Sequence, residues 1–159
     1  MVVEIVESAA CLVRSTACSG IGTVASVEEP QAEGRGDRWS RSDWWGVVLD
    51  APDVAVLARF YSELRGWPIW KQDVTGAALD LGEGVAYLGI QHNPDYVRPV
   101  WPGTAGHQQM MLHLDFEVAD LDAAVAHAVD LGAELPEHQP QENVRVLLDP
   151  AGHPFCLYT

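Results

Sequence analysis

Between residues 44 and 159 the sequence repeats one order of secondary-structure signals, and this repeat constrains the fold more than any other feature. In the first copy a β-rich run, "GVVLDAP", is followed by Asp53 as a helix N-cap, an amphipathic helix, Gly66 and three strand-like runs. In the second copy the strand "MLHLDFEVA" is followed by Asp120, the helix "LDAAVAHAVDL", Gly132 and the strand-like runs "AELPEH", "VRVLLD" and "PFCLYT". A duplicated βαβββ unit predicts an α+β fold built from two equivalent modules.

Composition divides the chain into a leader and this repeated region. Residues 1–43 become rich in charge, glycine and serine, carry no clear helical or strand period, and are predicted to be a flexible leader outside the fold. Module one is assigned to residues 44–92 and module two to residues 108–159. The connecting loop, 93–107, is long for a compact domain, and such loops are usually functional or disordered.

The charge of the chain restricts its partners. The sequence has 23 acidic and 9 basic residues, a formal net charge of −14, which disfavours nucleic acid and anionic membrane surfaces. No apolar run reaches the roughly 18 residues that a transmembrane helix needs, and the N-terminus lacks the basic region of a secretory signal. We therefore expect a cytoplasmic protein that binds neither nucleic acid nor membranes. Its 3 cysteines form no zinc-type or disulfide pattern.

Two segments carry a resemblance to a known superfamily. "VVLDAPDVAVLARFYSELRGWPI" in module one and "DPAGHPFCLY" in module two resemble the vicinal oxygen chelate superfamily, in particular its glyoxalase-like and bleomycin-resistance-like members. The resemblance spans residues 45–159. It implies two βαβββ modules that form a cupped mixed sheet around a cleft, the glyoxalase/bleomycin resistance/dihydroxybiphenyl dioxygenase-like fold. It implies little about activity, since the superfamily contains lyases, isomerases, dioxygenases, thiol transferases and drug-sequestering proteins.

The resemblance also implies where a metal would bind. Metal-using members place one ligand on the first strand and one on the last strand of each module, and these positions correspond here to Gly46, Gly89, His113 and Cys156. Glycine offers no side-chain donor, and cysteine suits soft metals better than it suits an oxygen-rich site. A catalytic metal normally has about three protein ligands. We therefore expect no cofactor, with a divalent metal as the open alternative.

Strand alternation predicts which side chains face the cleft. Residues two apart on a strand point to the same face, and the face opposite the helices carries polar and aromatic side chains, the usual make-up of a small-molecule site. Trp101, in the connecting loop, is interpreted either as part of a lid over the ligand or as a contact that joins the modules. The predicted ligand-binding residues are Asp50, Tyr87, Gln91, Trp101, Met111, His113, Asp115, Glu117, Cys156 and Tyr158.

His113 is the candidate catalytic residue, and three roles are open to it. It is a hydrogen-bonded pocket residue paired with Asp115 or Gln91, a general base, or a metal ligand. Asp115 and Glu117 are interpreted as a solvated face in preference to an acid–base pair. Successive residues on one strand face stand about 7 Å apart, which is too far for shared chelation. Cys156 is predicted to be an inert thiol in preference to a nucleophile.

Two functions from different classes follow. The favoured one is a small-molecule-binding protein with a metal-free cleft, similar to the drug-sequestering members, since shape, stacking and a few hydrogen bonds suffice for binding. The alternative is an enzyme, a lyase, isomerase or dioxygenase of the vicinal oxygen chelate type, that uses His113 as a metal ligand or acid–base group. The ligand stays unidentified. Trp67 and Trp70 are interpreted as core or interface residues, a homodimer is expected, and His153 is interpreted as a turn residue.

Overall fold

The computed structural model describes residues 44–159 except positions 83 and 85, so the predicted leader, residues 1–43, lies outside the described residues. In this part of the chain, neither helix has the length and apolar character that crossing a bilayer requires. In chain order the elements are β1 (Trp45–Ala51), α1 (Val54–Arg65), β2 (Ile69–Gln72), β3 (Gly76–Asp80), β4 (Ala86–His92), β5 (Leu114–Glu117), α2 (Leu121–Asp130), β6 (Val144–Leu148) and β7 (Pro154–Tyr158).

The strands form two mixed sheets, one in each module. The strand order is β1-β4-β3-β2 in the first sheet and β5-β7-β6 in the second. In both sheets the first strand of the module lies parallel to its last strand, as β1 does to β4 and β5 to β7. A parallel pair needs a crossover between its strands, and α1 and α2 lie within those crossovers. This architecture confirms the predicted α+β class with two small mixed sheets.

The two helices begin in the same way. Asp53 and Asp120 have extended backbones, with φ and ψ of −136° and 107° in the first and −135° and 109° in the second. Each carboxylate accepts a hydrogen bond at 3.0 Å from the amide three residues further on. α1 ends at Gly66, whose φ of 67° is a left-handed conformation that glycine adopts without steric cost. These geometries confirm both predicted N-caps and the predicted end of α1.

One hydrophobic core runs through both modules. α1 buries Leu57, Phe60 and Tyr61, and the aromatic rings of this helix reach the second sheet. The centroid of the Phe155 ring, on β7, lies 5.8 Å from that of Phe60 and 6.4 Å from that of Tyr61, both in edge-to-face geometry. Phe116, on β5, lies 6.4 Å from Tyr61 in the same sense. The helix of module one therefore packs against strands of both sheets and holds the modules together.

In module two, one predicted strand is absent from the described sheet, and a side chain makes hydrogen bonds to β6 in its place. The run "AELPEH" is predicted to be a strand, but it contributes a single bridge, between Glu134 and Leu148. Pro136 has no amide hydrogen to donate to a ladder. The side chain of Gln139 takes over the pairing with β6: its Oε1 accepts from the Val146 amide and its Nε2 donates to the Val146 carbonyl, each at 2.9 Å.

β5 begins later than the sequence predicts. The predicted strand starts at Met111, whereas β5 starts at Leu114, which pairs with Phe155 on β7. One further step of this register would set His113 beside Pro154, which has no amide hydrogen, so the ladder ends there. His113 therefore lies on the loop that leads into β5 and not within the strand.

Candidate functional site

A cavity of about 260 Å³ lies where β1 meets the segment between the modules and the start of β7. β1 contributes Asp50 to its wall, the last turn contributes His153, and the segment from residue 93 to residue 112 contributes most of the rest. A backbone hydrogen bond of 2.9 Å, from the Val100 amide to the Gln108 carbonyl, closes this segment on itself. The predicted connecting loop therefore supplies one side of a cavity.

Two amide side chains orient the Asp50 carboxylate at this cavity. Gln91 Nε2 donates to Asp50 Oδ1 at 2.6 Å, and Asn93 Nδ2 donates to Oδ2 at 2.8 Å. Gln91 is the register partner of Asp50 in the parallel pair of β1 and β4. Neutral donors fix a carboxylate without cancelling its charge, and each oxygen keeps a second acceptor position. The structure thus brings together two predicted site residues, Asp50 and Gln91.

A fully buried carboxylate, Asp149, organises the turn before β7. Asp149 is 0% exposed and accepts hydrogen bonds from the backbone amides of Ala151, Gly152 and His153 at 2.8 to 2.9 Å. The Tyr61 hydroxyl, on α1, donates to Asp149 Oδ2 at 2.9 Å. Burial of the phenol, and after it the charge of Asp149, raises the pKa of Tyr61 well above its ordinary value. The acid is therefore compensated by hydrogen bonds from both modules.

His153 connects this buried network to the cavity. Its Nδ1 lies 2.9 Å from Asp149 Oδ2, and its Nε2 lies 3.2 Å from the Tyr96 hydroxyl. Tyr96 in turn donates to the Ala151 carbonyl at 2.9 Å, and burial, followed by the charge of Asp149, raises its pKa to about 12. Both ring nitrogens lie within hydrogen-bond distance of a partner, which holds the imidazole in place with the Tyr96 hydroxyl against Nε2.

The ring of Tyr87 covers the two glycines at which module one would hold a metal. A Cβ atom added to Gly46 would lie 2.5 Å from this ring. A Cβ atom added to Gly89 would lie 3.0 Å from Val48 Cγ2 and 3.4 Å from the ring. Carbon atoms at van der Waals contact are about 3.5–4.0 Å apart. A donor side chain at Gly46 would therefore have to displace Tyr87.

Module two brings three donor groups together. His113 Nε2 lies 3.3 Å from Asp115 Oδ1, and Cys156 is the register partner of Asp115 across β5 and β7. One donor atom from each of the three side chains lies within 4.8 Å of the other two. The spacing argument does not apply to His113 and Asp115, and Glu117, the third member of the predicted cluster, is not in this group. His113 lies outside the strand, and its ring turns towards Asp115.

The environment of Cys156 keeps its thiol protonated. Partial burial, followed by the hydrogen bond to Asp115 and the charge of that acid, raises the pKa of Cys156 from its ordinary value of 9.0 to about 11. A nucleophilic cysteine needs the opposite shift, because the thiolate is the reactive form. The surroundings therefore agree with the predicted inert thiol.

A metal of the kind that the superfamily resemblance implies fits this chain only in part. Gly46 and Gly89 supply no donor, and Tyr87 takes the space that donors there would need. Module two supplies an imidazole, a carboxylate and a thiol, the three donor types that Zn²⁺ accepts in proteins. His113, Asp115 and Cys156 are therefore the residues that would hold an ion, and the thiol favours a soft or borderline one.

The remaining predicted site residues lie in other places. Glu117 and Tyr158 are register partners across β5 and β7. Met111 is 89% exposed and stands at the open side of the cavity. Trp101 is not among the residues that line the cavity, and its ring lies 6.3 Å from that of His138 in module two. Trp101 thus contacts module two, and both of its predicted roles, as well as ligand contact by the other residues, stay predictions.

Several residues around the cavity are missed by sequence reasoning. Asn93 and Tyr96 belong to a loop whose path no periodicity predicts. The run "DPAGHP" does contain a signal, since an aspartate at the start of a turn commonly accepts the amides that follow it. The contact between Asp149 and Tyr61 joins residues 88 positions apart, and no local pattern predicts it.

Comparisons with known proteins agree with this architecture. The profile of a family described as "Glyoxalase-like domain" matches residues 46–158, which covers both modules. No curated protein sequence matches the chain.

Solved structures share the fold at low sequence identity. A glyoxalase/bleomycin resistance protein/dioxygenase family enzyme from Burkholderia phytofirmans PsJN is 21% identical, with a TM-score of 0.54, over 70% of this chain and 94% of that chain. A glyoxalase-related enzyme from Fulvimarina pelagi is 17% identical, with a TM-score of 0.55, over 74% and 88%. Fosfomycin resistance protein FosX from Mesorhizobium loti is 15% identical, with a TM-score of 0.54, over 75% and 92%. These identities show a shared fold and carry no information about activity.

Proposed function

Since this chain belongs to the glyoxalase-like domain family, we propose that it binds a small organic molecule in the cavity beside β1, without a metal and without turnover. The observation that carries the proposal is the arrangement of His153, the histidine that lines the cavity. Asp149 and Tyr96 engage its two ring nitrogens at 2.9 and 3.2 Å. A general base must lie within hydrogen-bond reach of the proton that it removes. A substrate would have to displace the Tyr96 hydroxyl to reach Nε2, so this arrangement supports binding over catalysis.

The size and lining of the cavity support the same role. Its volume of about 260 Å³ is near the lower end of the roughly 300–1,000 Å³ found for small-molecule sites. Val48, Pro99, Met110 and Leu112 give it an apolar wall, and the unbranched side chain of a methionine adapts to ligands of different shape. The proposed ligand is therefore smaller than most drugs and largely apolar.

The proposal that binding needs no metal rests on module one. Half of the ligand positions that the superfamily resemblance implies are glycines without a donor: Tyr87 fills the space beside Gly46, and Val48 approaches Gly89 most closely. Drug-sequestering members provide the nearest functional parallel, because sequestration requires complementarity and no activated group. The homodimer and the cytoplasmic location remain expectations from the sequence.

The experiment that tests the proposal is native mass spectrometry of the purified protein with a cavity-filling variant. Val48→Trp places an indole at the cavity, whereas Val74→Trp makes the same change at a residue that is 87% exposed and does not line it. We expect a co-purified organic mass of a few hundred daltons at most on the wild type and on Val74→Trp, and its loss from Val48→Trp. Equal retention by both variants would contradict the proposed site.

A second candidate function is metal binding by module two, and the donor cluster of His113, Asp115 and Cys156 is the observation that favours it. A three-donor site with an open position is the usual form of a catalytic zinc site. This candidate would make the chain an enzyme of the vicinal oxygen chelate type with His113 as a metal ligand. The ion would also have to displace the thiol proton, which the raised pKa of Cys156 opposes.

Titration with Co²⁺ distinguishes the two candidates, because a cobalt–thiolate bond gives a characteristic near-ultraviolet absorption. If binding is metal-free, the apo protein shows no such band at equimolar Co²⁺, and His113→Ala leaves ligand binding unchanged. If the second candidate holds, the band saturates at one ion per chain and is lost in Cys156→Ser. His127→Ala, on the exposed face of α2, is the matched control for the histidine change.

A further inference from the structure

We propose that the ligand of this cavity is a small amphiphilic cation, an amine or amidine on an apolar body, with Asp50 as its counter-ion. This inference rests on the proposed function and adds the chemical class of the ligand. It comes from one juxtaposition: an oriented carboxylate lies beside an apolar wall, in a cavity to which no lysine or arginine of the described residues contributes.

The Asp50 carboxylate has neutral hydrogen-bond partners and no basic counter-ion in the described part of the chain. Its side-chain partners in the described part of the chain are Gln91 and Asn93, both neutral amides, at 2.6 and 2.8 Å. No lysine or arginine of the described residues forms an ion pair with it. A half-buried carboxylate without a counter-charge has lost part of its hydration without electrostatic compensation. A ligand that carries a positive charge and N–H donors supplies the missing partner.

The charged groups around the cavity are mainly acidic. The ionisable side chains that line it are the acids Asp50 and Asp95, the phenol of Tyr96 and the imidazole of His153. The buried carboxylate of Asp149 stands directly behind that imidazole, at 2.9 Å. Arg98, in the same connecting segment, directs its guanidinium to Glu134 at 2.8 Å. The local field therefore favours a cation over an anion, as does the net charge of −14.

Apolar side chains line the same cavity as Asp50. Val48, Met110 and Leu112 lie around the cavity and offer no donors or acceptors in their side chains. A bare metal ion would be bound poorly there, since hard cations take six or more oxygen ligands. An organic cation uses both parts of the cavity: the charged end contacts Asp50, and the apolar end displaces water from the wall.

The test compares three probes of nearly the same size by isothermal titration calorimetry: benzylamine, benzyl alcohol and benzoate, which are cationic, neutral and anionic at pH 7. For the wild type we expect benzylamine to bind at least about tenfold more tightly than benzyl alcohol, and benzoate to bind least. In Asp50→Asn we expect the affinity for benzylamine to fall to that for benzyl alcohol, while the affinity for benzyl alcohol stays unchanged. Asp130→Asn removes the same charge from an exposed position at the end of α2 and should change neither value.

The outcomes separate this inference from the proposed function. If benzyl alcohol or benzoate binds as tightly as benzylamine, and Val48→Trp abolishes that binding, the cavity binds small molecules but the cation inference is overturned. If none of the three probes binds, or if Val48→Trp leaves all binding intact, both the inference and the proposed function fail.

Ionic strength gives the same discrimination without a variant, which keeps the inference testable even if Asp50→Asn does not fold. Raising NaCl from about 0.05 M to about 0.5 M screens charge pairs that water reaches. We expect this change to weaken benzylamine binding to the wild type severalfold and to leave benzyl alcohol binding unchanged. An affinity for benzylamine that does not respond to salt would overturn the ionic contact.

Discussion

The two modules are nearly identical in how their helices begin and different at the ends of their sheets. Asp53 and Asp120 cap α1 and α2 with backbone angles that agree within 2°. At the implied metal positions, by contrast, module one has Gly46 and Gly89 under the ring of Tyr87, and module two has His113 and Cys156. The caps act locally and specify the helix start in any copy of the unit. The residues at the implied metal positions contribute little to where the helices begin, so they can differ between the modules without changing the fold.

A second contrast concerns what each module contributes to the other. Module one sends α1 across the core, where Tyr61 donates to Asp149 in the last turn of module two. The helix of module two, α2, packs mainly on β6 and β7 of its own sheet within the described residues. The buried carboxylate of module two therefore depends on module one, and this asymmetry predicts where substitutions have the largest effects.

The largest effect is expected for Asp149→Ala. The change removes the acceptor for three backbone amides, for the Tyr61 hydroxyl and for His153, all in a fully buried site. We expect a loss of about 3–5 kcal/mol in the free energy of unfolding, measured by urea denaturation. Asp130→Ala, at an exposed position on α2, should change stability by less than about 0.5 kcal/mol. A loss below about 1 kcal/mol in Asp149→Ala would show that the link between the modules is energetically minor.

The next effect tests the side chain that stands in for a strand of module two. Gln139→Ala removes both hydrogen bonds to Val146 and leaves its amide and carbonyl without these partners. We expect a loss of about 1–3 kcal/mol, together with faster amide hydrogen exchange at Val146. Gln141→Ala, two residues away and exposed, is the matched control and should leave that exchange rate unchanged. Unchanged exchange in Gln139→Ala would mean that the single bridge, Glu134 to Leu148, orders this edge alone.

A smaller effect is expected at the glycines of module one. In Gly46→Ala the added methyl group would stand 2.5 Å from the Tyr87 ring, which must move. We expect a loss of about 1–2 kcal/mol in the wild-type background and a clearly smaller loss in a Tyr87→Ala background. Gly103→Ala meets no atom within 4 Å and should be close to neutral. Equal losses in the two backgrounds would show that the Tyr87 ring does not occupy the space beside Gly46.

Local signals in the sequence predict the scaffold of both modules but only part of the site. The capping aspartates, Gly66 and the order of the elements in the two modules follow from spacing and from the repeat. Strand alternation also places Asp50 and Gln91 on one face, where the structure joins them at 2.6 Å. These predictions succeed because each depends on residues that are close along the chain or related by the repeat.

The rest depends on contacts that periodicity does not encode. The start of β5 at Leu114 depends on a proline in the neighbouring strand, and the cluster of His113 with Asp115 depends on that displaced start. The role of His153 depends on Tyr96, which reaches it from the segment between the modules. Turn sequences predict that a turn exists, but they do not predict which distant side chains pack against it.

The smallest effect on stability is expected from Cys156, at the implied metal position on the last strand of module two. Its counterpart in module one, Gly89, has no ionisable group. The pKa of Cys156 is raised from 9.0 to about 11, so the folded state holds this proton more strongly than the unfolded state does. The resulting stability is present below pH 9 and is lost as the pH rises towards 11. Since the thiol is only partly buried and is screened by water, we expect the loss to amount to about 1 kcal/mol at most. Chemical denaturation under reducing conditions at pH 8 and pH 10 should therefore show a smaller decline for Cys156→Ser than for the wild type.

The tyrosines Tyr61 and Tyr96, whose pKa values are also raised, begin to contribute above their ordinary value of 10.0 and do so equally in both proteins. Equal declines in the two proteins would mean that Asp115 does not hold the thiol proton. Cys156 and Gly89 would then differ only in the size of the side chain.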